Sequence, residues 1–442
     1  MFLKSFLAVC SLFILFFGIG NTGVLMQGFY WDVPKGGGWY NTLYSEAKEL
    51  KDVGFTAIWF PSPLKGMGGG YSMGYDAFDH YDLGEYEQKG TVETRFGNIK
   101  ELKNAVKRYR SLGMDVYVDT VMNHMGGGDL EENPETGTET WTKFIYPHGK
   151  FEKNWEHFVN NDSDDCYKDP GFCGTWGPEL CNENRYVSKE LKKWGKWLSS
   201  EIGFNGYRID AAACIGPDFL SSWITETGNK FTVGEYWDAN RNTLAHWVNA
   251  VGNKASAFDF SLFYTLKEMC NDTSGNFDMK RLYHAGLVGI NPMKAVTFVE
   301  NHDTDKQDPI VSDKMLAYAY TLTGEGYPTV FWKDYYNYNL KSKIAPLVWI
   351  HENLAGGSTT VIHNDNDLYV AKRNSQPGLI VMINDSPNEK RNAGDLKTPW
   401  RNKTLKDYTG NVKDRPTTDN NGYCMDYQLW APPRSYTVWA PE

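Results

Sequence analysis

Gly206-Tyr207-Arg208-Ile209-Asp210 reads as a short strand ending in an arginine and an aspartate two residues apart. Side chains two apart on a strand point to the same face, so Arg208 and Asp210 leave the strand together. In a barrel of alternating strands and helices, the active site lies at the C-terminal ends of the strands. An arginine beside a carboxylate holds that carboxylate ionised, which makes Asp210 a candidate nucleophile or metal ligand. Taken alone, the stretch reads equally well as a structural ion pair. The other strand ends decide between the two readings.

Seven further strand-like runs accompany this one, at residues 24–31, 56–60, 116–122, 231–235, 257–260, 295–299 and 328–332. Amphipathic helix patterns fall between most of them. Residues 98–112 place Ile99, Leu102, Val106 and Tyr109 at three-to-four spacing, and 188–202 and 313–322 read similarly. Eight βα units predict a closed parallel (β/α)8 barrel. About 60 residues after the third strand lack regular periodicity, and a loop of that length in a compact domain is usually functional. They are read as a small inserted domain packed on the catalytic face. From residue 356, short alternating runs separated by Asn, Asp, Gly and Pro predict an antiparallel β-domain. The expected organisation is a leader at 1–22, a barrel at 23–123 and 186–355, an insert at 124–185 and a C-terminal β-domain at 356–442.

Charged residues make up 23% of the 442-residue chain and the hydrophobic set 41%, as in an ordinary globular protein. The net charge of −10 and the lack of any Lys/Arg block argue against nucleic acid or an anionic membrane as partner. Lys4 followed by a nearly all-apolar run at 6–17 predicts a secretory signal peptide, too short for a membrane span. A secreted or periplasmic protein, monomeric and off the membrane once the leader is removed, is expected. Six of the seven cysteines follow the leader. Cys166, Cys173 and Cys181 crowd one segment while Cys214, Cys270 and Cys424 are scattered. Export permits disulfides, and at least one local bridge is expected, with its pairing open.

Asp210, Glu235 and Asp303 each stand at a strand end. Gathered on one barrel face they cannot all ionise easily, so one carboxyl is expected to stay protonated near neutral pH. One ionised and one protonated carboxyl are the tools of retaining glycoside hydrolysis. His124 follows the third strand and His302 adjoins Asp303. They suit sugar hydroxyl contacts, or zinc in a competing reading. The 15% aromatic content is a weak pointer to sugar rings, since aromatics also fill cores.

With these residues in hand, the chain resembles the alpha-amylases of the (β/α)8-barrel glycoside hydrolase clan. Four of the clan's signatures appear in order: Asp119-Thr120-Val121-Met122-Asn123-His124, the stretch at 206–210, Gly234-Glu235-Tyr236-Trp237, and the segment at 298–303. Gly74-Tyr75-Asp76 and Pro178-Glu179-Leu180 resemble two more. Residues 24–34 and 68–90 resemble the archaeal and plant-like branches most closely. The resemblance implies that Asp210 is the nucleophile, Glu235 the general acid/base and Asp303 the transition-state stabiliser. Arg208 would keep Asp210 ionised, His124 and His302 would bind the sugar at the cleavage point, Tyr75 would stack on it, and Asp119 would be structural. It also implies a Ca2+ ion between barrel and insert, held by Asn123, Asp169, the carbonyl of Gly171, Glu179 and the carbonyl of Cys214. Glu179 stands where an aspartate is usual. Asp162, Asp164 and Asp165 read as a solvated acidic loop.

Two departures from the pattern stand out. Ala213 occupies a position where relatives commonly carry a lysine that touches sugar on the leaving-group side. Some archaeal relatives hold zinc near the calcium; His157 and Cys181 could correspond, but no second histidine does. The implied activity is endo-hydrolysis of internal α-1,4 bonds of starch, glycogen or maltodextrins. The competing readings are a transglycosylase or short-maltodextrin hydrolase on the same fold, a silent carbohydrate-binding barrel, and a zinc-dependent barrel hydrolase.

Overall fold

The computed structural model describes residues 23–159, 166–167 and 173–442. The expected leader and Asp162, Asp164, Asp165, Asp169 and Gly171 lie outside the described residues. Eight parallel strands close into a barrel: β1 (Leu25–Gln27), β2 (Ala57–Phe60), β3 (Asp115–Thr120), β4 (Gly206–Ile209), β5 (Phe231–Gly234), β6 (Ser256–Phe258), β7 (Ala295–Phe298) and β8 (Tyr327–Phe331). Each neighbours its successor, and β8 pairs with β1 to close the ring. The predicted strands are all present, most of them shorter; the run expected at 24–31 pairs only over Leu25–Gln27, while the eighth keeps its length, shifted by one residue.

A helix follows every strand: α1 (Trp39–Val53), α2 (Ile99–Ser111), α3 (Arg185–Trp197), α4 (Pro217–Glu226), α5 (Arg241–Ala250), α6 (Phe260–Asn271), α7 (Lys314–Thr323) and α8 (Lys341–Leu354). Asn98 starts α2 with a capping box: its side chain accepts from the Lys100 and Glu101 amides, and Glu101 reaches back to its backbone N–H. The apolar stripe of α2, with Leu102, Val106 and Tyr109, is buried against the barrel. α3 begins earlier than the periodicity implied, because the Asn184 side chain caps it by accepting from Tyr186 and Val187. At β5, Gly234 admits the Trp247 indole of α5; a Cβ there would lie 2.1 Å from the ring.

Within the insert, Asp129–Asn133 and Thr138–Lys143 pair as an antiparallel hairpin that the sequence reading did not anticipate. Their residues are largely polar and exposed, so no hydrophobic alternation marked them. The C-terminal strands β9 (Thr359–Asn364), β10 (Leu368–Arg373), β11 (Leu379–Asn384), β12 (Leu405–Asp407) and β13 (Ser435–Pro441) form an antiparallel sheet in the order β9-β10-β11-β13-β12. Among the described residues no helix is long and apolar enough to cross a membrane.

Candidate active site

The barrel register sets the site. Asp119 on β3 pairs with Arg208 on β4, and Ile209 pairs with Gly234 on β5. Asp210 and Glu235, each one residue further on, therefore emerge side by side. Arg208 is buried, and its guanidinium forks among three carboxylates. Nη1 donates to Asp119 Oδ1 at 2.9 Å and to Asp210 Oδ1 at 2.7 Å, while Nη2 lies 2.8 Å from Glu235 Oε1. Burial opposes its charge, but Asp119, Glu235, Tyr75 and Asp210 hold it protonated.

Asp119 is buried and meets three donors: Arg208, the Tyr75 hydroxyl at 2.8 Å and the Trp59 indole N–H at 3.1 Å. Burial pushes its carboxyl up, and Arg208 pulls it back. Three donors on one carboxylate favour the ionised form. Ala211 takes a left-handed turn with φ 45° straight after Asp210. Such a conformation is costly for alanine, and here it aims the Ala211 N–H at Glu235 Oε2, 3.1 Å away. Burial pushes the Glu235 carboxyl up to about 8; Arg208 opposes the rise, and the charges of Asp210 and Asp303 add to it.

Across the barrel, the Trp31 indole N–H donates to Asp303 Oδ1 at 2.8 Å. The Gln27 amide donates to His302 Nδ1 at 2.9 Å, which leaves the ring proton on Nε2, 3.3 Å from Asp303 Oδ2. Burial pushes His302 down to about 4, so the ring is neutral near pH 7. Tyr75 stacks on His302 with centroids 5.3 Å apart and planes 12° apart. His124 donates from Nε2 to the Tyr75 carbonyl at 2.7 Å, so part of its work is to hold the Tyr75 segment. A cleft of about 930 Å³ joins Asp210, Glu235, Asp303, Tyr75, His124 and His302.

Every expected catalytic and substrate-contact residue thus lies in or against one cleft, with Arg208 beneath it. Sequence reading gave no role to Gln27, Trp31 and Trp59, which orient the charged groups, to Trp176, or to Trp237 of the quoted signature, which line the cleft. Trp31 lay at the end of a predicted strand, the one signal that could have marked it.

The expected metal ligands are met in part. Asn123 is buried, and its amide lies 3.3 Å from Glu179 Oε1 across the seam between barrel and insert. Backbone pairing fixes the seam: Leu180 N–H donates to the Asn123 carbonyl at 2.7 Å, and Met125 N–H to the Pro178 carbonyl at 3.0 Å. The amide oxygen of Asn123, the Glu179 carboxylate and the Cys214 carbonyl are of the hard-donor type that calcium takes, although the Asn123 NH2 is what faces Glu179 here. Among the described residues no cluster of three His, Cys, Asp or Glu side chains is poised for a metal. Two disulfides close on this region, Cys166–Cys181 and Cys173–Cys214. The first consumes the Cys181 thiol, so the zinc correspondence with His157 fails on a covalent ground. His157 itself accepts from the Asn154 amide through Nδ1.

A model of the alpha-amylase catalytic domain matches residues 33–325 of this chain. The chain belongs to the alpha-amylase family. It is a glycoside hydrolase, and an alpha-amylase C-terminal model matches residues 379–440. The glucan 1,4-alpha-maltohexaosidase of Bacillus sp. strain 707 is 36% identical over 398 residues, 76% of each chain. The alpha-amylase of Bacillus licheniformis is 32% identical, covering 91% of this chain and 90% of its own. That of Geobacillus stearothermophilus is 34% identical, covering 95% and 87%. These three are bacterial and do not confirm the expected nearness to archaeal and plant-like branches. Among solved structures, an Anoxybacillus alpha-amylase aligns with a TM-score of 0.71 at 18% identity, covering 95% of this chain and 98% of that one. A Geobacillus thermoleovorans alpha-amylase complexed with acarbose gives 0.66 at 21%, with the same coverage. At these identities the structures speak for the fold.

Proposed function

We propose that the protein is a secreted, endo-acting alpha-amylase that cleaves internal α-1,4-glucosidic bonds of starch or related glucans with retention at the anomeric carbon. The observation that carries this reading is the Arg208 fork, which places Asp210 and Glu235 on one guanidinium. Two carboxyls held on one guanidinium suit a nucleophile and an acid/base acting on one sugar, and retaining pairs stand closer together than inverting ones, which leave room for water. Asp210 attacks the anomeric carbon. Glu235, carrying its proton at neutral pH, delivers it to the leaving oxygen, then takes a proton from the water that releases the glycosyl group from Asp210. Asp303, held by Trp31, offers a charge and a hydroxyl acceptor to the sugar as it flattens. Neutral His302 and the Tyr75 ring pack against that ring.

Asn123, Glu179 and the Cys214 carbonyl, with the expected Asp169 and Gly171 carbonyl, would hold calcium, which would supply structural support rather than chemistry. Secretion rests on the leader composition and agrees with the two disulfides, which an oxidising compartment favours. The stereochemical reading is tested by proton NMR of the first sugars released from maltoheptaose. The α-anomer should appear first and mutarotate later; initial β-anomer would overturn retention and the assignment of Asp210 as nucleophile.

A further inference from the structure

Trp176 is 49% exposed and lines the catalytic cleft beside His124, with ring centroids 5.5 Å apart. It ends a 3₁₀ turn, Cys173–Trp176, that is fastened at both ends. At the front, Cys173 is bonded to Cys214, four residues past Asp210 on the loop that follows β4. At the back, Gly177 has φ +146° and passes so close to the barrel loop that a Cβ would lie 2.2 Å from the Met125 carbonyl oxygen. The Pro178 and Leu180 backbone bonds to Met125 and Asn123 continue that attachment. Ala213, which also lines the cleft next to Cys214, is too small to fill it.

We infer that Trp176 is a pre-set aromatic wall for the glucan chain adjoining the cleavage point, and that the Cys173–Cys214 disulfide positions it by tying its turn to the nucleophile loop. This rests on reading the cleft as a glucan-hydrolysing site. A sugar presents an apolar C–H face that an indole covers well. A ring fixed before binding loses little freedom when substrate arrives. The contact lies away from the reacting bond and is the same in ground and transition states, so its loss falls on KM more than on kcat.

The test measures KM and kcat for maltoheptaose and, in the Glu235→Gln background, maltoheptaose affinity by calorimetry. Trp176→Ala should raise KM and weaken affinity about tenfold, and Trp176→Phe should recover most of the loss. Cys173→Ser/Cys214→Ser should weaken affinity comparably, and adding Trp176→Ala to it should change little, because both act on one contact. If that variant does not fold, dithiothreitol treatment of the folded wild type, with opening of Cys173–Cys214 followed by mass spectrometry, takes its place. Unchanged affinity with that bond open overturns the tether. Wild-type affinity in Trp176→Ala, or a loss confined to kcat, overturns the wall. If the wild type leaves starch uncut while the affinity pattern holds, the hydrolase reading falls and the wall stands.

Discussion

Arg208 joins three acids that would otherwise repel one another inside a largely closed site. Asp119, Asp210 and Glu235 all lean on its guanidinium, and a point-charge ammonium could not serve all three. Arg208→Ala should therefore lower unfolding free energy by ~3–5 kcal/mol in denaturant titrations, because it leaves buried carboxylates unpaired. Glu235 carries the pH dependence. Its carboxyl is pushed up to about 8 by burial, so its acid form is present below that pH and is lost above it. The kcat/KM profile should accordingly decline as pH rises through about 8, and Glu235→Gln should abolish that limb while lowering kcat about 10²–10⁴-fold and retaining maltoheptaose binding. Steady-state kinetics from pH 5 to 10 checks both; a variant with wild-type turnover would contradict the assignment. The acids were legible in the sequence because Asp210 and Glu235 directly follow β4 and β5 and Asp303 lies on the loop after β7. Their partners Gln27, Trp31 and Trp59 were not, because a lone aromatic or amide in a strand reads equally well as core.

At the scale of elements, the insert encloses a buried lysine, Lys153, whose backbone pairs with Phe144 just after the hairpin. Lys153 Nζ sits 3.6 Å from the Phe151 ring centroid and donates to the Phe151 carbonyl at 2.8 Å and to the Tyr146 hydroxyl at 3.2 Å. Burial pushes it down to about 7. Between that value and the ordinary 10.5 the unfolded chain binds a proton that the folded one does not, so stability rises with pH across this window and is lost as pH falls through about 7. Lys153→Met, of similar volume, should raise Tm at pH 6 by about 2–4 °C and flatten the rise toward pH 10, as scanning calorimetry at both ends would show. No rise at pH 6 would mean that the ring and carbonyl contacts offset the burial. Elements with strong periodicity were readable in advance: α2 matches its predicted span through its Asn98 cap, and the C-terminal runs at 359, 368 and 379 became β9, β10 and β11. The hairpin was not, because its strands alternate no apolar residues.

For the whole molecule, the barrel emerged from the count of eight strand–helix units, since a closed parallel sheet needs that rhythm and each strand end then faces one cleft. The disulfide pairing was out of reach, because Cys173 and Cys214 lie 41 residues apart in sequence and only the docked insert brings them together. That docking gives a further expectation. Chelation of calcium should lower Tm by loosening the seam at Asn123 and Glu179, and added Ca2+ should restore it in proportion to ln(1 + [Ca2+]/Kd); a Tm indifferent to both would remove calcium from the account. The central claim, endo-cleavage of an α-glucan by this cleft, is tested most directly by following viscosity and reducing ends together in soluble starch with the purified protein and its Glu235→Gln variant. Viscosity should collapse while few reducing ends have formed, and the variant should leave both nearly unchanged. Reducing ends accumulating at constant viscosity, or intact starch with the wild type, would contradict it.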